Sequence, residues 1–156
     1  MNSSPNRASR QTEKAKRKVA NLDLTTARRM LPLVRSIVTD IVTTAEQIQT
    51  LAPEQATLDE YRRSLTWASR ERRYAVTDAI ANAERSLDGA VRELDTLGVS
   101  LVDGRQGQVD FPTRINGRPA AYSWRLGEEA LDYWRYAGEE NRRPIPAEWQ
   151  HGVSQP

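Results

Sequence analysis

The sequence predicts an α+β fold, in which a long antiparallel helical hairpin packs against a small antiparallel β-meander with a short C-terminal helix. Three observations carry this. Two extended segments, about residues 24–51 and 58–97, repeat apolar residues at three- and four-residue spacing, the period of amphipathic helices. After Gly98 the pattern changes to short alternating runs, and Asn116-Gly117 between two of them is the dipeptide preferred in two-residue hairpin turns. A length of 156 residues suits one core rather than several.

The first helix opens at Asp23, an N-cap, with Leu22 placed as a hydrophobic staple. Its stripe runs through Ala27, Leu31, Val34, Val38, Ile41, Ala45, Ile48 and Leu51, and Pro32 within it predicts a bend. Ala52–Ala56, containing Pro53, is the expected connection. Thr57-Leu58-Asp59-Glu60 reads as a capping box for the second helix, whose stripe continues to Leu97 before Gly98 stops it. The stripe is interrupted at Arg72, so a break near Arg70–Arg73 is an open alternative. The helices would then be about 42 and 60 Å long, and the second would overshoot the first. Its last turns, bearing Leu87, Val91, Leu94 and Leu97, need cover from the segment beyond Gly98.

Strands are expected at about 99–102, 108–115 and 118–125. A two-residue turn opposes Ile115 with Arg118, Thr113 with Ala120, Phe111 with Tyr122 and Val109 with Trp124, and turns that apolar face toward the helices. Pro112 cannot donate to a ladder and predicts a strand edge or a bulge. Gly127 ends the last strand, and a short helix is expected over about 128–137, with Leu131 and Trp134 on its apolar side. The folded domain is expected over 21–146, with 147–156 a C-terminal tail.

Composition removes several chemistries. There is no Cys, and the single His is His151, so thiolate nucleophiles, Cys or His metal sites and a His general base have no candidates in the folded part. No metal or cofactor is expected. No apolar run approaches the roughly 20 residues of a membrane span, and no signal-peptide core is present, so a cytoplasmic location is expected by default. Residues 1–18 hold all three lysines and three arginines against Glu13, a net +5 within an overall +2, so the remainder is acidic. Residues 1–20 read as a disordered basic tail that offers weak, salt-sensitive contact with nucleic acid, although no aromatic residue there can stack on bases.

The hairpin register places Asp110 opposite Ser123, with Arg125 diagonal to it and Glu128 just beyond the strand. Arg142 follows in a Pro-flanked segment that could return beside it. Asp110, Arg125, Glu128 and Arg142 form the candidate site: the arginines are forks for a small anionic ligand, and a carboxylate is a potential base. The commoner role of such a network is a lattice of ion pairs that fixes loops. A second surface is the helical stripe Arg63, Trp67, Arg70 and Tyr74, residue types enriched at interface hot spots. A two-helix hairpin buries little alone, so this stripe predicts a homodimer that forms a four-helix bundle, unless the segment Arg135–Trp149 folds over it.

Gln108–Trp134 is dense in unusual residues: VDFP at Val109–Pro112, WRLGE at Trp124–Glu128 and Trp134, followed by RRPI at Arg142–Ile145. With a Leu24–Val34 opening, this resembles a family of short bacterial proteins classed as domain of unknown function 2203. The resemblance implies a shared fold and retained contacts between the VDFP and WRLGE segments, and no established activity. Relatives often carry Cys before WRLGE and a His-Glu pair after the later Trp, where this chain has Ser123 and Arg135-Tyr136. The function expected is a non-catalytic interaction or regulatory module that self-associates or engages an unknown protein partner. The alternatives are a small-ligand binder or cofactor-free enzyme using the polar cluster, and tail-driven nucleic-acid association.

Overall fold

A computed structural model describes residues 21–151, so the expected basic tail at 1–20 and residues 152–156 lie outside the described residues. The architecture is α+β. Two long helices, α1 (Leu24–Glu60) and α2 (Trp67–Thr96), form a hairpin. A five-stranded antiparallel meander comes next, in the order β1 (Ser100–Asp103), β2 (Gln108–Ile115), β3 (Arg118–Arg125), β4 (Tyr133–Tyr136) and β5 (Arg143–Pro144). A 3-10 helix at Ala147–His151 closes the described chain.

Asp23 caps α1 by accepting a 2.6 Å hydrogen bond from the Thr26 amide, which holds its carboxyl below the usual value. The helix does not end before Pro53. It runs through both Pro32 and Pro53 to Glu60, because a proline removes one donor without ending an apolar stripe that Leu51 and Leu58 prolong. Thr57 consequently caps nothing, and its hydroxyl donates back to the Pro53 carbonyl within the helix. The connection is instead residues 61–66, and Thr66 is the N-cap of α2, accepting from the Ser69 amide at 3.2 Å. From there α2 is continuous through Arg70–Arg73.

Gly98, at φ +78°, ends α2 in a paired reversal in which its own amide reaches the Asp95 carbonyl and the Val99 amide reaches the Leu94 carbonyl, each at 3.0 Å. With 37 residues against 30, α1 is the longer helix, so the overshoot is the reverse of the expected one. The sheet covers mainly α1. Leu24, Ala27, Leu31, Val34, Val38 and Ile41 meet Val109, Phe111, Ile115, Tyr122 and Trp124 in one core, to which α2 adds Leu94.

The β2–β3 register is the one expected from the Asn116-Gly117 turn, with Phe111 opposite Tyr122 and Asp110 opposite Ser123. Pro112 fits because β1 pairs only as far as Ser100 with Asp110. Beyond that point the edge of β2 is open, and the Pro112 carbonyl accepts from the Leu22 amide at 2.9 Å. Residues 128–137 are not a helix. Tyr133, Trp134, Arg135 and Tyr136 alternate about β4, with Trp134 opposite Tyr122 and Tyr136 opposite Ala120 on the core side. Aromatic side chains favour the pleated surface, and this alternation outweighs the Leu131/Trp134 spacing. The expected tail at 147–156 also contributes: Trp149 lies 5.5 Å from Trp134, centroid to centroid, against the core.

Candidate functional site

The sheet face turned away from the helices carries Gln108 and Asp110 from β2, Ser123 and Arg125 from β3, and Tyr133 and Arg135 from β4. Glu128 reaches it from the β3–β4 loop and Arg142 from the residue before β5. The expected proximity of VDFP and WRLGE is therefore present, but the partners differ from those the register suggests. Asp110 does not pair with Arg125. Its partner is Arg135, which donates from Nη2 to Oδ2 at 2.5 Å and from Nε to Oδ1 at 3.3 Å, with both side chains largely buried. Arg135 also donates to the Glu139 carbonyl.

Arg142 returns to the cluster, as its Pro-flanked segment suggests. Its Nη2 donates to Glu128 Oε1 at 2.5 Å and its Nη1 to Oε2 at 3.0 Å, a two-pronged ion pair. The same guanidinium donates to Ser123 Oγ and to the Ser123 carbonyl, each at 3.0 Å, and stacks on Tyr133 at 4.3 Å. Arg125 sits apart from both carboxylate forks: its Nε donates to Gln108 Oε1 at 3.1 Å, and Gln108 in turn donates to Ser123 Oγ.

The WRLGE segment is fixed by local contacts. Gly127, at φ +101°, lets the chain reverse so that Glu128 Oε1 accepts from the Arg125 amide at 2.6 Å. The Glu128 carbonyl then accepts from Trp124 Nε1 at 3.0 Å. Burial pushes the Glu128 carboxyl up, but the hydrogen bonds from Arg142 and from the Arg125 amide, with the charges of both arginines, outweigh it, and the group sits below its ordinary value. Such a carboxylate is a poor proton acceptor near neutral pH. Both carboxylates and the forks of Arg135 and Arg142 are already occupied by one another. Sequence reasoning misses Arg135 because it assigns a helix to this segment; the alternation from Tyr133 to Tyr136 is the signal that could have found it.

The second surface lies at the far end of the helical hairpin. Trp67, Arg70 and Tyr74 succeed one another on the first two turns of α2, whereas Arg63 belongs to the preceding turn and so does not extend the helical stripe. Trp67 is 71 % exposed, Tyr74 66 % and Tyr61, at the end of α1, 56 %. The segment Arg135–Trp149 does not cover them: it forms β4, β5 and the 3-10 helix, packed on the sheet and core at the opposite end.

A family model described as an uncharacterized conserved protein, DUF2203, matches residues 21–145, most of the chain and the whole span from the α1 cap to Ile145. The chain belongs to the DUF2203 family. Comparison with curated proteins and with solved structures gave no match. In this DUF2203 member, Ser123 and Arg135 both take part in the polar network, one under Arg142 and the other on Asp110. Among the described residues, no group of three or more His, Cys, Asp or Glu side chains converges as a metal site, and no helix is long and apolar enough to cross a membrane.

Proposed function

We propose that this DUF2203 protein is an interaction module that self-associates through the outer half of its helical hairpin, with the sheet serving as a rigid base. The observation that carries this is the exposure of Trp67, Tyr74 and Tyr61 together on an arm in which no residue from 42 to 75 is buried. Large aromatic side chains and Arg are the usual anchors of protein interfaces. Leaving three aromatics in water at one end of a molecule, while the core at the other end is filled, favours a partner for that end. The polar cluster supports a bracing role, since its ion pairs close on one another and tie β2, β3, β4 and the Glu128 loop together.

The test is sedimentation velocity over a concentration series with wild type and Trp67→Ala. Reversible dimerisation of wild type, weakened at least tenfold by the substitution while the circular dichroism spectrum is unchanged, is the expected result. A monomer throughout in both proteins refutes self-association.

A further inference from the structure

Charge is segregated along the arm. From Ser36 to Tyr61 the chain holds Asp40, Glu46, Glu54, Asp59 and Glu60 and no basic residue. From Arg62 to Arg73 it holds Arg62, Arg63, Arg70, Arg72 and Arg73 against Glu71 alone. One helix of the arm is thus acidic and the start of the other basic. Among the described residues only two of these charges on each side are matched, Glu54 with Arg72 at 2.6 Å and Asp59 with Arg73 at 2.8 Å. Asp40, Glu46 and Glu60 on one side, and Arg62, Arg63 and Arg70 on the other, have no ion-pair partner among the described residues.

The acidic helix also carries a groove. Where the sheet ends, the face of α1 that it covers continues uncovered, and Val42, Ala45, Ile48 and Ala52 line a groove of about 500 Å³ beside Glu46 and Arg105. Val42 to Ala52 spans about 15 Å of helix, while Trp67 and Tyr74, two turns apart, are separated by about 10 Å along theirs. The aromatic pair therefore fits within the length of the groove.

We propose that this groove on α1 is the seat for the Trp67/Tyr74 flank of α2 from a second copy of the chain, with the unmatched arginines of one copy facing Glu46 and Glu60 of the other. This rests on the self-association proposed above and assigns its surfaces. In a two-fold pair the contact is made twice, so both charge sets and both aromatic sets are used. Like charges would meet if α1 packed on α1, which selects the α1-to-α2 pairing. An arm face about 27 Å long and two helices wide offers roughly 500 Å² per partner, less than the about 800 Å² of a standard interface, so micromolar dissociation constants are expected.

A charge-exchange experiment tests the seating by sedimentation equilibrium at low salt on three samples: Arg63→Glu/Arg70→Glu, Glu46→Arg/Glu60→Arg, and their equimolar mixture. Each double variant alone is expected to dimerise at least tenfold more weakly than wild type, with helical content unchanged. The mixture should recover wild-type affinity within about threefold, because opposite charges again face each other in both contacts. A wild-type dimer lost in Trp67→Ala, combined with a mixture that stays monomeric, overturns the seating and leaves self-association standing. A wild type that is monomeric throughout overturns both, and leaves the groove to another occupant.

Discussion

Replacing Arg142 by Ala removes the side chain that ties Ser123 of β3 to Glu128 across the outer face of the sheet. In the native protein Arg142 is 10 % and Glu128 25 % exposed at the side chain, and four hydrogen bonds from the guanidinium end on Glu128 and Ser123. The substitution leaves the mostly buried Glu128 carboxylate with the Arg125 amide but no cation, the Ser123 hydroxyl with only its longer bond from Gln108, and the Ser123 carbonyl without the Arg142 donor. Removing one partner of a fully buried pair costs about 3–5 kcal/mol; the residual exposure of Glu128 admits water and favours the lower end, about 3 kcal/mol. For a domain of this size that corresponds to a fall in Tm of about 10 °C. Thermal unfolding followed by circular dichroism at neutral pH measures it. A companion Glu128→Gln and the double variant complete a cycle in which the losses should fall short of additive by about 1–2 kcal/mol, since each single change strands the other's partner. A Tm within about 2 °C of wild type for Arg142→Ala, or strict additivity, would refute the bracing role and return the cluster to consideration as a binding site.

Glu128 also makes stability depend on acid. Its folded pKa is depressed, so the ion pair contributes fully above the ordinary carboxylate range and is lost as the pH falls through the depressed value; the stability gap between wild type and Glu128→Gln should narrow over that acidic window in urea titrations. Gly107→Ala should cost about 2–4 kcal/mol, because a Cβ there would lie 2.8 Å from Leu126 Cβ and 2.9 Å from Val38 Cγ1 at φ +67°. Gly117→Ala, at φ +72° in open space, should cost only about 1 kcal/mol; equal losses at the two glycines would contradict the packing account. Trp67→Ala should change monomer stability by less than about 0.5 kcal/mol, measured below the dimerisation range, because the side chain is exposed.

The parts of the fold legible in the sequence are those governed by local rules. The Asp23 cap, the Gly98 stop and the Asn116-Gly117 turn each act within a few residues, and the turn carries the β2–β3 register with it. The connection between the helices is not legible, because Pro53 and the Thr57-x-x-Glu60 pattern mark a helix boundary only where the apolar stripe also ends, and here it continues to Leu58. The β4 strand escapes for a related reason. Its side chains satisfy both a helical spacing and an alternating one, and only the presence of β3 beside them decides between the two. A helix there conceals Arg135, so that Asp110 is matched with the arginine on its own hairpin rather than with the one a strand further away. Arg142 and Glu128 are legible as neighbours because the Pro-rich segment has little choice but to return to the sheet.

The two borders of the sheet have a bearing on which encounters between molecules are productive. On one side β1 is four residues long with an irregular register, and past its end Pro112 offers no amide while Leu22 occupies its carbonyl. On the other side β5 is only Arg143–Pro144, a cation followed by a second residue without an amide. Both rims are short, and short or proline-bearing edges are poor templates for the strand addition by which many small β-sheets come to aggregate. Growth by strand addition is thereby disfavoured at both ends. The proposed contact through the helical arm, remote from either rim, would therefore join molecules without drawing on the sheet edges that lead to fibrous assembly.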